Sequence, residues 1–303
     1  MPKPDLSVSI AGVTFKNPVT TASGTFGSGM EYSEFVDLNR LGAVTTKGVA
    51  SSPWEGNPVP RVTEVYGGML NAIGLQNPGV EVFVKRDLEY LKQFDTRVIV
   101  NVCGRTEEEY LAVVERLSEE AVDLLEINVS CPNVKDGAIA FGQDPDALFR
   151  ITDKIRRIAA QPVIMKLTPN VTSIAEMARA AEAGGADAIS LINTITGMKI
   201  DIERRTFVLA NKTGGMSGPA IKPVAVRMVW QAARAVKIPI IGMGGIASAE
   251  DAIEFILAGA TMVAAGAMQF HNPCLSTEII DGIEAYMVRH QIEHVTDLIG
   301  TVQ

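Results

Sequence analysis

The 303-residue chain carries 27 Lys and Arg against 35 Asp and Glu, a formal net charge of −8. Hydrophobic residues make up 47% and charged residues 20%, which fits a large buried core and excludes a disordered chain. The acidic balance argues against nucleic acid as a partner, because phosphate contacts need a basic surface. No apolar stretch of the signal-peptide kind follows Met1–Asp5, and no run of about 18 apolar residues occurs, so no signal peptide and no membrane span are expected. Cys103, Cys131 and Cys274 are widely spaced and form no CxxC pattern. A disulfide framework and a four-thiolate cluster are therefore not expected, and a cytoplasmic setting is.

Residues Leu6–Phe15 read as a β-hairpin. Short, nearly continuous apolar runs follow at Pro18–Ala22, Ala43–Thr46, Val98–Val102, Leu124–Val129, Val163–Leu167, Ala188–Ile192, Ile238–Gly242 and Met262–Ala265. Such runs suit parallel strands buried on both faces. Helices fill the gaps. Thr106, Ser173 and Ser248 each stand three residues before a carboxylate (Glu109, Glu176, Asp251), the spacing of a capping box. Asp144-Pro145 opens another helix, whose inner face is Leu148, Ile151, Ile155 and Ile158. Ala183–Asp187 and Phe255–Ala260 read as helix ends running straight into the next strand. Eight βα units with short αβ connections predict a (β/α)8 TIM barrel with an N-terminal β-hairpin, as one domain over residues 1–303. A doubly wound sheet is the alternative, but it needs a switch in strand order.

Three βα connections, Gly48–Pro78, Ser130–Gln143 and Asn193–Pro219, exceed the roughly 12–15 residues of ordinary loops. All follow strand C-termini, the face where barrels keep their active sites. The strand ends supply Ser23, Lys47, Gly48, Asn101, Asn128, Lys166, Asn193 and Thr194, with Gly244-Gly245 and Gly266-Ala267 after strands 7 and 8. Glycines at those two positions either make tight turns or cradle a phosphate on backbone N–H groups. A lysine that directly follows a buried strand needs an anion. A phosphate-tailed heterocycle such as flavin mononucleotide (FMN) would suit the set, with a cation beside the edge of the ring that gains charge on reduction. Asn71–Pro78, over the mouth, is either a turn or a substrate contact. Cys131, between a strand end and Pro132, is either a small core residue or a general base, since a thiol of pKa about 8.5 serves once that value is lowered. No metal site is expected, because His271, His290 and His294 lie far down the chain.

Asn128-Val129-Ser130-Cys131-Pro132-Asn133, Asn71–Asn77 and Ile241–Ile246 resemble the signatures of class 1 dihydroorotate dehydrogenases, and the resemblance spans essentially the whole chain. Asn193–Met198 and Thr213–Pro223 are most similar to the NAD-linked class 1B branch. The resemblance implies that Ser23, Lys47, Gly48, Asn101, Asn128, Lys166, Ile192, Gly218, Gly244, Gly245, Gly266 and Ala267 bind FMN. It implies that Lys47, Asn71, Ala72, Ile73, Gly74, Leu75, Asn128, Asn193 and Thr194 hold dihydroorotate. Cys131 would take a proton from C5 while hydride leaves C6 for the flavin, and residues 132–143 would close over the site. The family commonly carries Gly-Thr where this chain has Gly266-Ala267. Class 1B enzymes pass electrons to NAD through a second subunit holding FAD and a [2Fe–2S] cluster. This chain, with three cysteines and no Rossmann fingerprint, would then be the catalytic subunit of a heterotetramer of two catalytic and two electron-transfer subunits. The rivals are a class 1A-type homodimer using fumarate and a flavin-free phosphate-barrel aldolase or isomerase with Lys166 as Schiff-base nucleophile.

Overall fold

The computed structural model describes residues 3–130 and 141–302. Cys131, Pro132 and Asn133 lie outside the described residues, as does most of the connection from Ser130 to Gln143.

Strands β1 (Val8–Ile10) and β2 (Val13–Phe15) form the expected hairpin, with Val8, Ile10 and Phe15 buried in the main core. Strands β3 (Val19–Thr21) and β4 (Ala43–Thr45) follow. The first long connection contains β5 (Val62–Val65) and β6 (Gly68–Asn71). Next come β7 (Arg97–Val102), β8 (Leu124–Asn128), β9 (Val163–Lys166) and β10 (Ala188–Leu191). The connection Asn193–Pro219 contains β11 (Ile195–Met198), β12 (Ile200–Asp201), β13 (Thr206–Phe207) and β14 (Thr213–Ser217). Strands β15 (Ile240–Met243) and β16 (Met262–Ala265) complete the set.

Eight strands lie side by side in the order β3-β16-β15-β10-β9-β8-β7-β4, each next to its neighbour in the barrel sequence. No reversal of strand order occurs, which excludes the doubly wound alternative. The seam between β3 and β4 is closed by side chains. Thr20 and Thr45 hydroxyls meet at 3.0 Å, Thr21 Oγ1 donates to the Thr45 carbonyl at 3.2 Å, and the Thr45 amide donates to Thr21 Oγ1 at 3.0 Å. Strand β15 starts two residues later than its apolar run, at Ile240, because Pro239 has no N–H for the ladder.

The helix starts follow the sequence signals. Thr106, Ser173 and Ser248 each accept from the amide three residues on at 3.3 Å, and Asp144 does so at 2.7 Å. Each helix turns its apolar stripe to the barrel: Leu148, Ile151 and Ile155 on the helix Pro145–Ile158 are fully buried. Burying such a side chain stabilises by about 1.5–3 kcal/mol.

Two of the three long connections are not open loops. Their strands join into one antiparallel sheet in the order β11-β14-β6-β5, with β14 and β6 paired at Gly215↔Asn71, Met216↔Leu70 and Ser217↔Met69. Segments separated by more than 120 residues thus brace one another beside the barrel mouth, and this fixes Asn71 and Thr194 relative to the strand ends.

Candidate active site

In parallel strands, residues in register point to the same face. Asn101 of β7 is in register with Glu126 of β8, Asn128 with Lys166 of β9, and Lys166 with Ser190 of β10. These five polar side chains therefore share the interior face, while Leu125 and Ile127 turn to the helices. Glu126 is 1% exposed. It accepts from Asn101 Nδ2 at 2.6 Å, Ser190 Oγ at 2.7 Å and Lys166 Nζ at 3.3 Å. Lys166 Nζ also donates to Ser23 Oγ at 2.9 Å, beyond the end of β3. Five elements are thereby tied across the barrel, and a buried charge pair is tolerated only with such full hydrogen bonding.

Glu126 was not among the residues singled out from the sequence. Its signal was an acid inside a continuous apolar strand, a position where charge is almost never buried without a partner.

Because the carboxylate can only accept, it fixes the Asn101 amide with Nδ2 inward. Asn101 Oδ1 then has no hydrogen-bond partner among the described residues, although the residue is fully buried. A Cβ on Gly48 would stand 3.1 Å from that oxygen and 3.3 Å from Cys103 Sγ, so glycine lets the backbone after β4 pack closely against both.

At the next level outward, Asn193 Nδ2 reaches Asn128 Oδ1 at 3.4 Å, and Asn193 Oδ1 accepts from the Thr194 amide at 2.7 Å. Tyr110, from the helix Glu107–Ser118, holds the Asn128 carbonyl through its hydroxyl at 2.7 Å. Asn71 Nδ2 approaches the Gly215 carbonyl at 3.4 Å, and a Cβ on Gly215 would fall 2.0 Å from Thr194 Oγ1. Only glycine lets β14 pass between Asn71 and Thr194. Ala72–Leu75 is shaped by Asn57, which donates from its amide to the Ile73 carbonyl at 3.0 Å and from Nδ2 to the Ala72 carbonyl at 3.0 Å.

Lys47 follows β4, beside the place where a Cβ on Gly24 would come 3.9 Å from its Nζ. Burial holds its pKa below the ordinary lysine value of 10.5; Cys103 partly opposes this and Arg61 adds to it. No carboxylate lies within 4.0 Å of Lys47 among the described residues.

The glycines after strands 7 and 8 gather on one side of the mouth. A Cβ on Gly245 would stand 2.8 Å from both the Gly218 carbonyl and the Lys222 amide, where the helix Lys222–Ala233 begins. One on Gly244 would stand 3.0 Å from the Ile192 side chain, and one on Gly266 3.3 Å from Ala22 Cβ. Gly218, Gly244 and Gly245 have φ of +107°, +127° and +83°, the left-handed side that favours glycine. Ala267 opens the short turn Ala267–Phe270 directly after Gly266. Lys47 lines a cleft of ≈ 680 Å³ together with Trp54, Asn77 and Arg86. Cys131 is outside the described residues; its neighbour Ser130 donates from Oγ to the Lys166 carbonyl at 3.2 Å.

The fold and this polar mouth define an α/β-barrel of the kind that works at the C-terminal ends of its strands. The chain belongs to the dihydroorotate dehydrogenase family, whose model matches residues 5–287. A relative from Lachnoclostridium phytofermentans, named dihydroorotate dehydrogenase B (NAD(+)), catalytic subunit, is 73% identical over 297 residues, 98% of this chain and 99% of its own. A relative of the same name from Alkaliphilus oremlandii is 60% identical over 300 residues, 99% of each chain. The crystal structure of the Eimeria tenella enzyme in complex with ferulenol matches with a TM-score of 0.81 over 99% of this chain and 91% of that one. At 24% identity, that likeness shows the fold.

Proposed function

We propose that this chain is the catalytic subunit of an NAD-linked dihydroorotate dehydrogenase, oxidising dihydroorotate to orotate in pyrimidine biosynthesis. The observation that carries this is the 73% identity, end to end, with a dihydroorotate dehydrogenase B catalytic subunit. The mouth suits FMN on three grounds. The Asn101 Oδ1 acceptor is buried and lacks a partner among the described residues, Gly48 brings its backbone close beside that oxygen without a side chain, and the close-packed glycines at 218, 244 and 245 leave backbone where a phosphate could rest. A buried acceptor without a partner costs about 1–3 kcal/mol, a penalty that a ring N–H would relieve. FMN, when bound, supplies the hydride acceptor that no side chain here can provide.

Ser23, Lys47, Gly48, Asn101, Asn128, Lys166, Ile192, Gly218, Gly244, Gly245, Gly266 and Ala267 would hold that group. Lys47 offers its charge to the substrate carboxylate. Asn71, Asn128, Asn193 and Thr194 orient the substrate ring through its amide edges, with Ala72–Leu75 shaping the wall. Fixing the ring in this way converts binding energy into attack geometry. Cys131 accepts the proton from C5, the part of a general base. Lys166, held by Glu126 and Ser23, is suited to placing a charge and not to attack on a carbonyl, which weighs against the aldolase alternative.

Electrons would leave through a partner subunit carrying FAD and a [2Fe–2S] cluster, in a heterotetramer acting in the cytoplasm. Among the described residues no helix is long and apolar enough to cross a membrane, and no group of three or more His, Cys, Asp or Glu is placed to hold a metal. The test is dihydroorotate turnover by the purified chain with fumarate, then with NAD, with and without the partner subunit. NAD reduction that requires the partner is expected; rapid fumarate turnover by the chain alone would contradict the NAD-linked assignment.

A further inference from the structure

Glu126 is two residues further from the mouth than Asn128, on the same face of β8. Its two carboxylate oxygens take three donors from three other strands, and the nearest cation, Lys166 Nζ, is 3.3 Å away. Both side chains are almost wholly buried, 1% and 5% exposed. Solvent and salt screen such a pair very little, so its net field is felt by whatever occupies the mouth. Volume and hydrogen bonding alone do not demand a carboxylate there; what it adds is the counter-charge of Lys166. A glutamine would match its volume, accept from Asn101 and Lys166 through its oxygen, and give up one hydrogen bond at most.

We propose that Glu126 is a positioning residue that sets the reduction potential of the bound flavin, by offsetting the field of Lys166 from beneath while holding the ammonium and the Asn101 amide in place. The proposal rests on FMN occupying the mouth. Reduction adds negative charge to the flavin ring, and a cation beside the ring favours the reduced form. The carboxylate behind the cation weakens that preference. Its presence lowers the potential, which favours passage of the electrons to a low-potential acceptor of the nicotinamide class; an unopposed ammonium would disfavour that passage.

The experiment is a redox titration of the flavin-loaded chain, as wild type, Glu126→Gln and Glu126→Asp. Glu126→Gln removes the charge and should raise the ratio of reduced to oxidised flavin about tenfold at a fixed potential, about 30 mV for a two-electron couple. Glu126→Asp keeps the charge but withdraws it by one methylene, and should give a smaller rise in the same direction. An unchanged or lowered ratio in Glu126→Gln, with flavin bound, would overturn the proposal, since a purely structural role would weaken flavin binding and leave the potential alone. If Glu126→Gln does not fold, Glu126→Asp decides in the same way. A wild-type chain that takes up no flavin would instead overturn the cofactor assignment, and this proposal with it.

Discussion

Lys166 leaves β9 with its ammonium already engaged, 2.9 Å from Ser23 Oγ and 3.3 Å from Glu126 Oε1. Lys47, two residues past the end of β4, has no carboxylate in ion-pair reach among the described residues, and burial and Arg61 both press its pKa down. One cation belongs to a complete internal network. The other has no carboxylate partner among the described residues, and an anionic ligand would balance its charge. The contrast separates what the barrel needs in order to fold from what it offers to a substrate. A charge balanced from within can tune a cofactor, and a charge left unbalanced can recruit one.

The largest expected effect lies outside both lysines. Cys131→Ala should lower turnover by about 10²–10⁴-fold, the usual worth of a general base, with flavin still bound. Single-turnover kinetics with dihydroorotate would measure it, and an unchanged rate would remove Cys131 from the mechanism. Next, Lys166→Met leaves Glu126 buried without its counter-charge and should cost about 3–5 kcal/mol in urea unfolding of the flavin-free chain. Lys47→Met should leave that stability within about 1 kcal/mol, because it removes a charge with no carboxylate partner among the described residues. Its loss should appear in the KM for dihydroorotate. Equal destabilisation by the two variants would break the contrast.

The smallest effect is in pH. A lysine whose folded pKa is depressed binds its proton less tightly than in the unfolded chain. The ligand-free fold therefore carries a penalty at low pH that fades as pH rises through the folded value toward 10.5. The anionic substrate needs the proton in place. The KM for dihydroorotate should rise as pH climbs through that depressed value, beginning below 10.5, and Lys47→Arg should abolish the rise. A KM that stays flat over the alkaline range would show that Lys47 does not meet the carboxylate.

The barrel was legible because each of its strands is a short apolar run and each capped helix announces its start with a hydroxyl or carboxylate. The mouth was only half legible. Lys47, Asn101, Asn128 and Lys166 stood out because polar groups at the ends of buried strands are costly without partners. Strands β5, β6, β11 and β14 passed as loop. They are partly exposed, and Thr213-Gly214-Gly215-Met216-Ser217 holds a single β-branched residue and two glycines, a poor strand signal. The glycine at 215 answers a long-range demand, the passage of Thr194, which no local pattern encodes. Glu126 was hidden for a similar reason. Its partners come from strands 25, 40 and 64 residues away, and only register brings them together.

The most direct test of the central claim is the absorbance spectrum of the purified chain under anaerobic conditions, before and after dihydroorotate is added. The yellow flavin band should be present at one FMN per chain and should bleach within the mixing time of a catalytically competent enzyme. A protein that binds FMN but keeps its colour in dihydroorotate, or that remains colourless when FMN is offered, would contradict it.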